Sequence, residues 1–512
     1  MALEKSTFLG AWGFNENPFI LTNADEESRL SSYFVPPPFF DAVLGRPAEP
    51  KSVTVFAPRG GGKTAQKVMI EKVANEARDK ERFLCLTYDR FVLPGDFEIA
   101  KVELDWHLIN IVRLLTAALL VTCDEGGGGK LSQHDKDLLV KAARTFLFDI
   151  NVQEFDSIIG SLRNWRGKTA DFVSRYGGQV TNLISAVLAR FDMGRIDVVS
   201  PEENITKPTV ISYFERLIRI ARSVGYSSVY ILVDRIDETP LTQNDANASF
   251  EFLRPLLLDL HVLETEGVAF KFFLWDPIRK LYSGAGGRTD RVPLYALNWT
   301  LTEMQAMLSE RLSAYSEGQI KKLDQLTAED VEFSLDRLVC VLAAASPRDM
   351  IRLSKAIFDE QTRVRNEPGK ISRNTIVRGV QSFSEQRSVE LYATSIDELK
   401  KIGLASFTIS RLANDVLKIH VNAVSRKIQI WTDQGAVIRS GEIPTPGARP
   451  RNLYSLADPR LCIATKSLFS ADHVLSENIF LCQNCETVNV FEDADNKCIS
   501  CQSEFSDADT VL

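Results

Sequence analysis

Apolar and polar positions alternate along the chain after residue 50 in a way that predicts a sheet interleaved with helices. Ser52 to Phe56 alternates between β-branched and apolar residues, as in a strand, and Thr64 to Arg78 has the periodicity of a helix. Four further strands are predicted, at Arg82 to Asp89, Ser228 to Val233, Val268 to Trp275 and Pro293 to Leu297. Because helices separate these strands, the pattern favours an α/β fold with a parallel sheet covered on both faces.

Two long helical regions interrupt or follow this sheet pattern. The first, at about residues 101–225, contains no predicted strand and is interpreted as an insertion. Its helices are predicted at Asp105 to Val121, Ser132 to Phe148 and Phe172 to Phe191. The second, residues 300–390, follows the last strand and is interpreted as a helical lid. Residues 1–50 are rich in aromatic residues and proline, which predicts an irregular segment that packs on a larger body.

A glycine-rich segment lies between the first predicted strand and its helix. It reads Ala57-Pro58-Arg59-Gly60-Gly61-Gly62-Lys63-Thr64, which fits the P-loop pattern with alanine in place of the usual first glycine. Glycines let successive backbone N–H groups turn inward around a β-phosphate, and the start of the helix adds its dipole. Lys63 would reach the β- and γ-phosphate oxygens, and the Thr64 hydroxyl would bind Mg²⁺. The segment therefore predicts Mg-ATP binding.

Three carboxylates follow the predicted strand Ser228 to Val233, namely Asp234, Asp237 and Glu238. A P-loop needs one carboxylate to hold the Mg²⁺ shell and another to orient the attacking water. Ligands of α/β sheets bind at the carboxyl ends of the strands, which is where these residues stand. We expect Asp234 to hold Mg²⁺ and Glu238 to polarise water, with Asp237 as the competing candidate.

Composition is that of an ordinary globular protein, with 45% apolar and 25% charged residues. The formal charge of −8 argues against a surface that binds nucleic acid throughout, yet leaves room for a local basic patch. The polar N-terminus does not resemble a secretory signal, and the most apolar run, Ile111 to Thr122, is too short to span a bilayer. We therefore expect a cytoplasmic protein without a membrane partner.

Residues 391–465 have the pattern of a winged helix. Phe407 to Ala413 is predicted to open a short helix that Thr408 or Ser410 caps, and Val421 to Gln434 a second one that ends at Gly435. Two strands are then predicted, at Ala436 to Arg439 and Asn452 to Ser455. On the second helix, the exposed face is predicted to carry Asn422, Ser425, Arg426 and Lys427, and the buried face Val421, Val424, Ile428 and Trp431.

This region is basic in an acidic chain. Between Lys400 and Arg460 there are ten Lys or Arg residues against four Asp or Glu, a local charge of about +6. Arg449 and Arg451 stand at the predicted tip of the wing. The pattern predicts contact with the phosphates of double-stranded DNA, and the alternative is a winged helix that contacts protein.

Four of the eight cysteines form two C-x-x-C pairs near the C-terminus, Cys482 with Cys485 and Cys498 with Cys501. Two such pairs supply the four thiolates of a tetrahedral structural zinc site, and in a reducing compartment disulfides are the poorer alternative. The surrounding residues are acidic, which disfavours phosphate binding. The zinc ribbon is therefore predicted to contact a protein partner or another copy of the chain.

With these motifs in place, the chain resembles AAA+ ATPases of the origin-recognition/Cdc6 branch, and its Asp234 to Glu238 segment is similar to the Walker B segment of STAND and NACHT ATPases. Three further segments carry the resemblance: Trp12 to Phe19, Arg288 to Arg291 and Ser346 to Asp349. The resemblance implies that the first lies against the adenine. It also implies that Arg288 and Arg291 are candidate arginine fingers, and that Arg348 touches the γ-phosphate from the lid.

Two positions depart from the family pattern. Arg235 stands where many AAA+ proteins carry a catalytic glutamate, and Asp276 follows the strand that usually ends in a sensor asparagine or threonine. Both bear on the rate of hydrolysis and neither on nucleotide binding. An arginine finger acts on a neighbour's nucleotide, so this assignment predicts a homo-oligomer.

Two functions from different classes follow. The first is an ATP-binding, ATP-hydrolysing switch that acts with DNA. The alternative is a STAND-like signalling ATPase, of the kind that serves bacterial antiviral defence, in which the insertion or the zinc ribbon meets a protein partner. A third hypothesis is a scaffold that binds nucleotide without turnover. It stays open because Arg235 stands where many AAA+ proteins carry a catalytic glutamate.

The predicted architecture is thus an α/β, parallel-sheet P-loop NTPase of AAA+/STAND-like type with additional modules. ATP, Mg²⁺ and structural Zn²⁺ are the predicted cofactors. The predicted domains are an N-terminal segment at 1–50, the ATPase domain at 51–299, the helical lid at 300–390, the winged helix at 391–465 and the zinc ribbon at 466–512.

Overall fold

The computed structural model describes residues 6–93, 95, 97–147, 150–166, 207–243, 245–364, 368–444, 449–465, 472, 475, 479–490 and 497–505. The predicted helix from Phe172 to Phe191 lies outside these residues. The chain divides into two compact units, of which one is Pro36–Leu297 and the other combines Met1–Val35 with Asn298–Leu512. The predicted N-terminal segment, residues 1–50, is therefore shared between the two units.

A five-stranded parallel sheet forms the centre of the unit Pro36–Leu297. Its strands are β1 (Val53–Ala57), β2 (Phe83–Tyr88), β3 (Ser228–Val233), β4 (Val268–Trp275) and β5 (Leu294–Ala296). Their order across the sheet is β2-β3-β4-β1-β5, and every neighbouring pair is parallel. All residues of the first three strands are buried, as in a sheet covered on both faces. The predicted parallel α/β sheet is confirmed.

Helices surround this sheet. The α-helices of the unit are Phe40–Leu44, Lys63–Glu76, Leu104–Asp124, Gln133–Leu147, Val152–Arg166, Lys207–Ser223, Ala246–Leu257, Leu260–Leu263 and Ile278–Gly284. Short 3₁₀ turns lie at Asp79–Glu81, Ile99–Lys101, Gly127–Lys130 and Ile236–Glu238. In the described part of the predicted insertion, residues 101–147, 150–166 and 207–225, the regular elements are all helical.

The apolar run Ile111 to Thr122 belongs to a longer helix than the sequence predicted. The helix Leu104–Asp124 has 21 residues and is long and apolar enough to cross a bilayer. However, 78% of its most apolar stretch is buried inside the protein. Its side chains pack against the protein itself, as in a core helix.

In the other unit, residues 6–35 pack on the helices that follow the sheet. Three aromatic rings lie edge-on to the ring of Phe358, with centroids 4.9 to 6.3 Å away: Phe8, Phe14 and Phe19. Arg311, almost fully buried, forms an ion pair with Glu27 at 2.8 Å and donates to the Pro18 carbonyl. A buried guanidinium needs such partners, so Arg311 fixes the path of the segment.

The elements of this unit belong to the N-terminal segment, the helices after the sheet, the region 391–465 and the C-terminal hairpin. The α-helices are Phe8–Ala11, Leu30–Tyr33, Leu301–Tyr315, Leu335–Leu342, Pro347–Val364, Arg373–Tyr392, Ile396–Leu399, Ile409–Arg411, Val421–Asp433 and Pro459–Ala464. A 3₁₀ turn lies at Leu323–Leu326 and a π-helical turn at Leu412–Leu417. The strands are β6 (Ser406–Thr408), β7 (Val437–Ile443), β8 (Arg451–Leu456), β9 (Ile479–Leu481) and β10 (Val488–Val490).

The start of the winged helix differs from its prediction. Phe407 lies in strand β6, where it pairs with Tyr454 of β8 in antiparallel register, because a tertiary partner overrides the local helical pattern. The helix begins two residues later, and Thr408 caps it by accepting a hydrogen bond from the Arg411 N–H. Strands β6, β8 and β7 then form one antiparallel sheet.

A network of buried charges joins the lid to the last helix of the winged helix. Asp349, in the first turn of the helix Pro347–Val364, accepts hydrogen bonds from Arg387 Nε at 2.9 Å and Arg460 Nη1 at 2.8 Å. Arg460 also donates to both oxygens of Asp458, at 2.8 and 3.0 Å. The paired charges satisfy each other in a site with little access to water.

Candidate functional site

The glycine-rich loop turns between β1 and the helix Lys63–Glu76 in a way that few other residues could follow. Gly60 and Gly62 have φ angles of +77° and +94°, in the left-handed region that favours glycine. A Cβ atom at Gly61 would lie 3.0 Å from the Pro58 carbonyl oxygen. The backbone N–H groups therefore curl at the start of the helix, which is the arrangement that binds phosphate.

The structure brings the loop and the first acidic residue after β3 together. The Thr64 hydroxyl donates to Asp234 Oδ2 at 3.2 Å, although one strand, β4, separates β1 from β3. Asp234 is 1% exposed, and burial raises the pKa of its carboxyl, while the ammonium groups of Lys67 and Lys63 act in the opposite direction. A hydroxyl and a carboxylate are hard oxygen donors of the kind that Mg²⁺ prefers, so the pair fits the predicted metal.

Lys63 lies over the same loop. Its Nζ donates to the carbonyl oxygens of Ala57 and Pro58, at 3.2 and 3.3 Å. These are weak, solvent-accessible contacts that phosphate oxygens could replace, because an ammonium bonds more strongly to an anion than to a neutral carbonyl.

The two candidates for polarising water lie in different surroundings. Asp237 is buried and held by Arg59 of the loop, whose Nε and Nη2 lie 3.1 and 3.0 Å from Asp237 Oδ2. Glu238 is 60% exposed, with Arg235 3.7 Å from its carboxylate. Arg59 also stacks on Trp275 at 4.5 Å, which ties the loop to the end of β4. Asp237 is thus fixed by the loop and shielded from solvent, whereas Glu238 faces solvent.

The end of β4 stands beside the loop. The Asp276 N–H donates to the Ala57 carbonyl oxygen at 2.9 Å, so the residue in the sensor position is next to the phosphate-binding turn. Its carboxylate is half exposed and lies 3.8 Å from Arg279. A carboxylate repels phosphate, so ionised Asp276 cannot act as a hydrogen-bond donor to one.

The three candidate arginines are dispersed. Arg288 pairs with Asp290 at 2.7 Å and Arg291 with Glu264 at 2.6 Å. Both precede β5, at the amino edge of the sheet and opposite the glycine-rich loop of the same chain. Their assignment as arginine fingers therefore stays a prediction. Arg348 belongs to the other unit, is exposed and, among the described residues, forms no ion pair.

Sequence reasoning missed two residues of this site, Lys67 and Asp89. Lys67 is completely buried, one turn after Thr64 on the same helix, and its Nζ lies 2.8 Å from Asp89 Oδ2. The same Nζ lies 3.8 Å from Asp234 Oδ2. The available signal was periodicity, because a lysine three residues after Thr64 shares its helix face, and Asp89 directly follows β2.

The four C-terminal cysteines form one cluster, with all four sulfur atoms within 4.8 Å of one another. Two of the Sγ–Sγ separations are 3.6 Å, between Cys482 and Cys501, and 3.5 Å, between Cys485 and Cys498. Four thiolates around zinc at the usual bond length would stand about 3.8 Å apart, so the cluster fits that ion.

The two knuckles of this cluster have the same backbone geometry. Glu486 and Gln502 have φ angles of +55° and +63°, and their N–H groups donate to the carbonyls of Cys482 and Cys498. Each turn points two sulfur atoms to the same side. The repeat of one turn in two places supports a bound ion rather than a chance cluster of thiols.

Replacing Cys498 with serine is expected to release zinc and to unfold the C-terminal hairpin alone, because three thiolates bind zinc less firmly than four. Metal analysis of the purified protein measures zinc, and limited proteolysis reports the state of the tail. Ser500→Ala is the matched control, since Ser500 contacts Cys498 Sγ through its backbone N–H. An unchanged zinc content in Cys498→Ser would contradict the assignment.

The second helix of the winged helix, Val421–Asp433, exposes most of its predicted polar face. Asn422, Ser425 and Arg426 are exposed, whereas Lys427 is partly buried and pairs with Glu398 at 2.6 Å. Val424, Ile428 and Trp431 are buried as predicted. The prediction was wrong for Val421, which is 40% exposed because it is the first residue of the helix, ahead of the turn that packs on the core.

Four arginines of this region are exposed and, in the described part of the chain, form no ion pair: Arg411, Arg426, Arg449 and Arg451. Arg411 and Arg451 line a groove of about 390 Å³ between β6, β8 and the end of β7. In contrast, Arg439 of the wing is paired with Glu442. The four unpaired guanidinium groups are the ones available to an anionic partner.

The sheet order, the glycine-rich loop and the carboxylate after β3 define the fold class as an α/β P-loop NTPase. No family model and no curated protein matches the chain. A structure of the Aeropyrum pernix ORC1 protein in complex with DNA aligns over 88% of this chain and 96% of that chain, at 12% identity and a TM-score of 0.36. The A. pernix ORC2 protein with ADPNP and ADP aligns over 86% and 97%, at 12% identity and a TM-score of 0.39.

Proposed function

We propose that this protein is a Mg-ATP-dependent ATPase that acts with double-stranded DNA. The observation that carries the first part is the hydrogen bond from Thr64 to Asp234 at the end of a glycine loop that curls into a helix. A hydroxyl and a buried carboxylate at this place have no structural need to meet. They do so where a metal-bound phosphate would lie.

The chain's own residues divide the work of ATP binding and hydrolysis. The loop N–H groups cradle the β-phosphate, and Lys63 exchanges its carbonyl contacts for phosphate oxygens. Mg²⁺, bound through Thr64 and Asp234, would neutralise charge on the β- and γ-phosphates. Glu238 orients the attacking water, because its carboxylate faces solvent at the carboxyl edge of the sheet.

DNA contact is proposed at the winged helix. The chain is acidic overall, yet this region carries a local charge of about +6 and the four unpaired arginines Arg411, Arg426, Arg449 and Arg451. Phosphate contacts by arginine position a protein on a duplex and make its affinity depend on salt. The zinc ribbon, whose surroundings are acidic, is proposed as a protein contact.

The experiment that tests the function is ATP turnover with and without duplex DNA, together with DNA binding at rising salt. We expect turnover to rise with DNA, and the logarithm of affinity to fall linearly with that of salt concentration. Replacing all four arginines with alanine should reduce this slope by about 4, because each lost phosphate contact removes roughly one unit.

Arg439→Ala is the matched control. Because Glu442 already neutralises the Arg439 guanidinium, this substitution should leave the salt slope unchanged. An affinity for DNA that does not depend on salt concentration would contradict the proposed contact with DNA. Turnover that rises only with a protein partner would favour the signalling alternative instead.

A further inference from the structure

The completely buried lysine of the nucleotide site requires an explanation. Lys67 has no exposed surface, and its ammonium lies between two carboxylates, 2.8 Å from Asp89 Oδ2 and 3.8 Å from Asp234 Oδ2. Asp89 follows β2 and Asp234 follows β3, and these strands are neighbours in the sheet. The ammonium thus lies between two carboxylates that follow neighbouring strands at the carboxyl edge of the sheet.

Burial of this ammonium is unfavourable for the stability of the folded protein. Burying an ammonium costs several kcal/mol, and an apolar side chain at this place would often be as stable or more so. Two carboxylates this close would repel each other without a cation between them. Lys67 supplies that cation permanently, and its contact with Asp89 fixes where the charge stands.

The position of the ammonium relative to Asp234 points to more than a structural ion pair. Lys67 Nζ and the Thr64 hydroxyl approach the same oxygen of Asp234, at 3.8 and 3.2 Å. Both groups extend from one helix, one turn apart, so the helix that presents the phosphate-binding loop also positions the carboxylate. The carboxylate therefore cannot rotate away from Thr64 without losing both contacts.

We infer that Lys67, anchored by Asp89, is a positioning residue that orients the Asp234 carboxylate toward Mg²⁺ at the Thr64 hydroxyl. This inference rests on the proposed function, because it assumes that Asp234 and Thr64 hold the metal of Mg-ATP. Groups that support metal ligands in this way commonly change metal affinity by about 10- to 100-fold when they are removed.

The test is ATP binding by calorimetry on the full chain, measured once with Mg²⁺ and once with EDTA. The ratio of the two dissociation constants reports how much the metal tightens binding, which a purely structural ion pair would not alter. The main variant is the double replacement Lys67→Met with Asp89→Asn, which removes one charge of each sign and so leaves the net charge of the buried site unchanged.

For the double variant we expect affinity in EDTA to stay within about twofold of wild type, and the Mg²⁺-dependent tightening to fall about tenfold. Asp89→Asn alone should also lower the tightening, because Lys67 then pairs with Asp234 and competes with the metal. Lys72→Met is the matched control on the same helix, since Lys72 is partly exposed and lies 3.7 Å from Glu76.

A double variant that retains the wild-type tightening would overturn the inference and leave Lys67 and Asp89 as a structural pair. Should Lys67→Met alone fail to fold, the charge-neutral double variant still gives the answer. A wild-type protein whose ATP binding ignores Mg²⁺ would refute the proposed function itself, and the inference with it, which distinguishes the two failures.

Discussion

Replacing Lys63 with alanine is expected to abolish ATP turnover and to weaken ATP binding by roughly 10- to 100-fold. Charge-assisted hydrogen bonds contribute about 1.5–3 kcal/mol each, and every 1.4 kcal/mol is a factor of ten in affinity. Turnover should fall further than binding, because the ammonium also stabilises the charge that develops on the transferred phosphoryl group. Turnover and calorimetric binding measured on the same preparation would separate the two effects.

The fold should survive this substitution, which makes the result interpretable. The Lys63 ammonium bonds to the carbonyls of Ala57 and Pro58, and the left-handed Gly60 and Gly62 set the turn of the loop. Lys72→Ala, two turns further along the same helix, controls for the loss of a lysine. Turnover that persists in Lys63→Ala would show that ATP is hydrolysed elsewhere or by another protein in the preparation.

The parallel sheet and its catalytic edge could be predicted because their signals are local. A buried strand has a run of apolar residues, and the functional residues come shortly after the strands: Asp234 directly follows β3, and Lys63 ends the loop that follows β1. The contact between Thr64 and Asp234 spans 170 positions, yet it follows from the rule that parallel strands end at one edge. This contact could be predicted without knowing the order of the strands in the sheet.

What escaped prediction depends on side-chain partners far apart in sequence. Lys67 looks like any helical lysine until the fold places Asp89 and Asp234 around it. Likewise, Arg59 belongs to a loop motif, and nothing local indicates that it holds Asp237 and stacks on Trp275. The sequence pattern predicts the periodicity of an element, whereas these side-chain pairs form only when the elements pack together.

Two adjacent residues of the Ser346 to Asp349 segment show the same difference between what the sequence predicts and what packing determines. Arg348 is exposed, as a residue that meets a ligand must be, and the resemblance to AAA+ proteins pointed to it. Asp349, next in sequence, is buried and bound to Arg387 and Arg460 from helices that follow much later. The start of this helix thus presents one side chain outward and fixes its neighbour to the winged helix.

Replacing Asp349 with alanine is therefore expected to destabilise its unit by about 3 kcal/mol, at the lower end of the cost of removing one partner from a buried ion pair. The cost stays at the lower end because Arg460 retains Asp458 and Arg387 retains Glu390. For a unit of this size, such a loss lowers the melting temperature by roughly 6–12 °C. Calorimetric melting of the full chain measures it.

Asp359→Ala on the same helix is the matched control. Asp359 is half exposed and pairs only with Lys355 one turn away, so its loss should cost less than about 0.5 kcal/mol. If Asp349→Ala melted like this control, Asp458 and Glu390 alone would satisfy the two arginines. The lid and the winged helix would then be joined by apolar packing, and a change at Arg348 would have no charged route to the proposed DNA-binding surface.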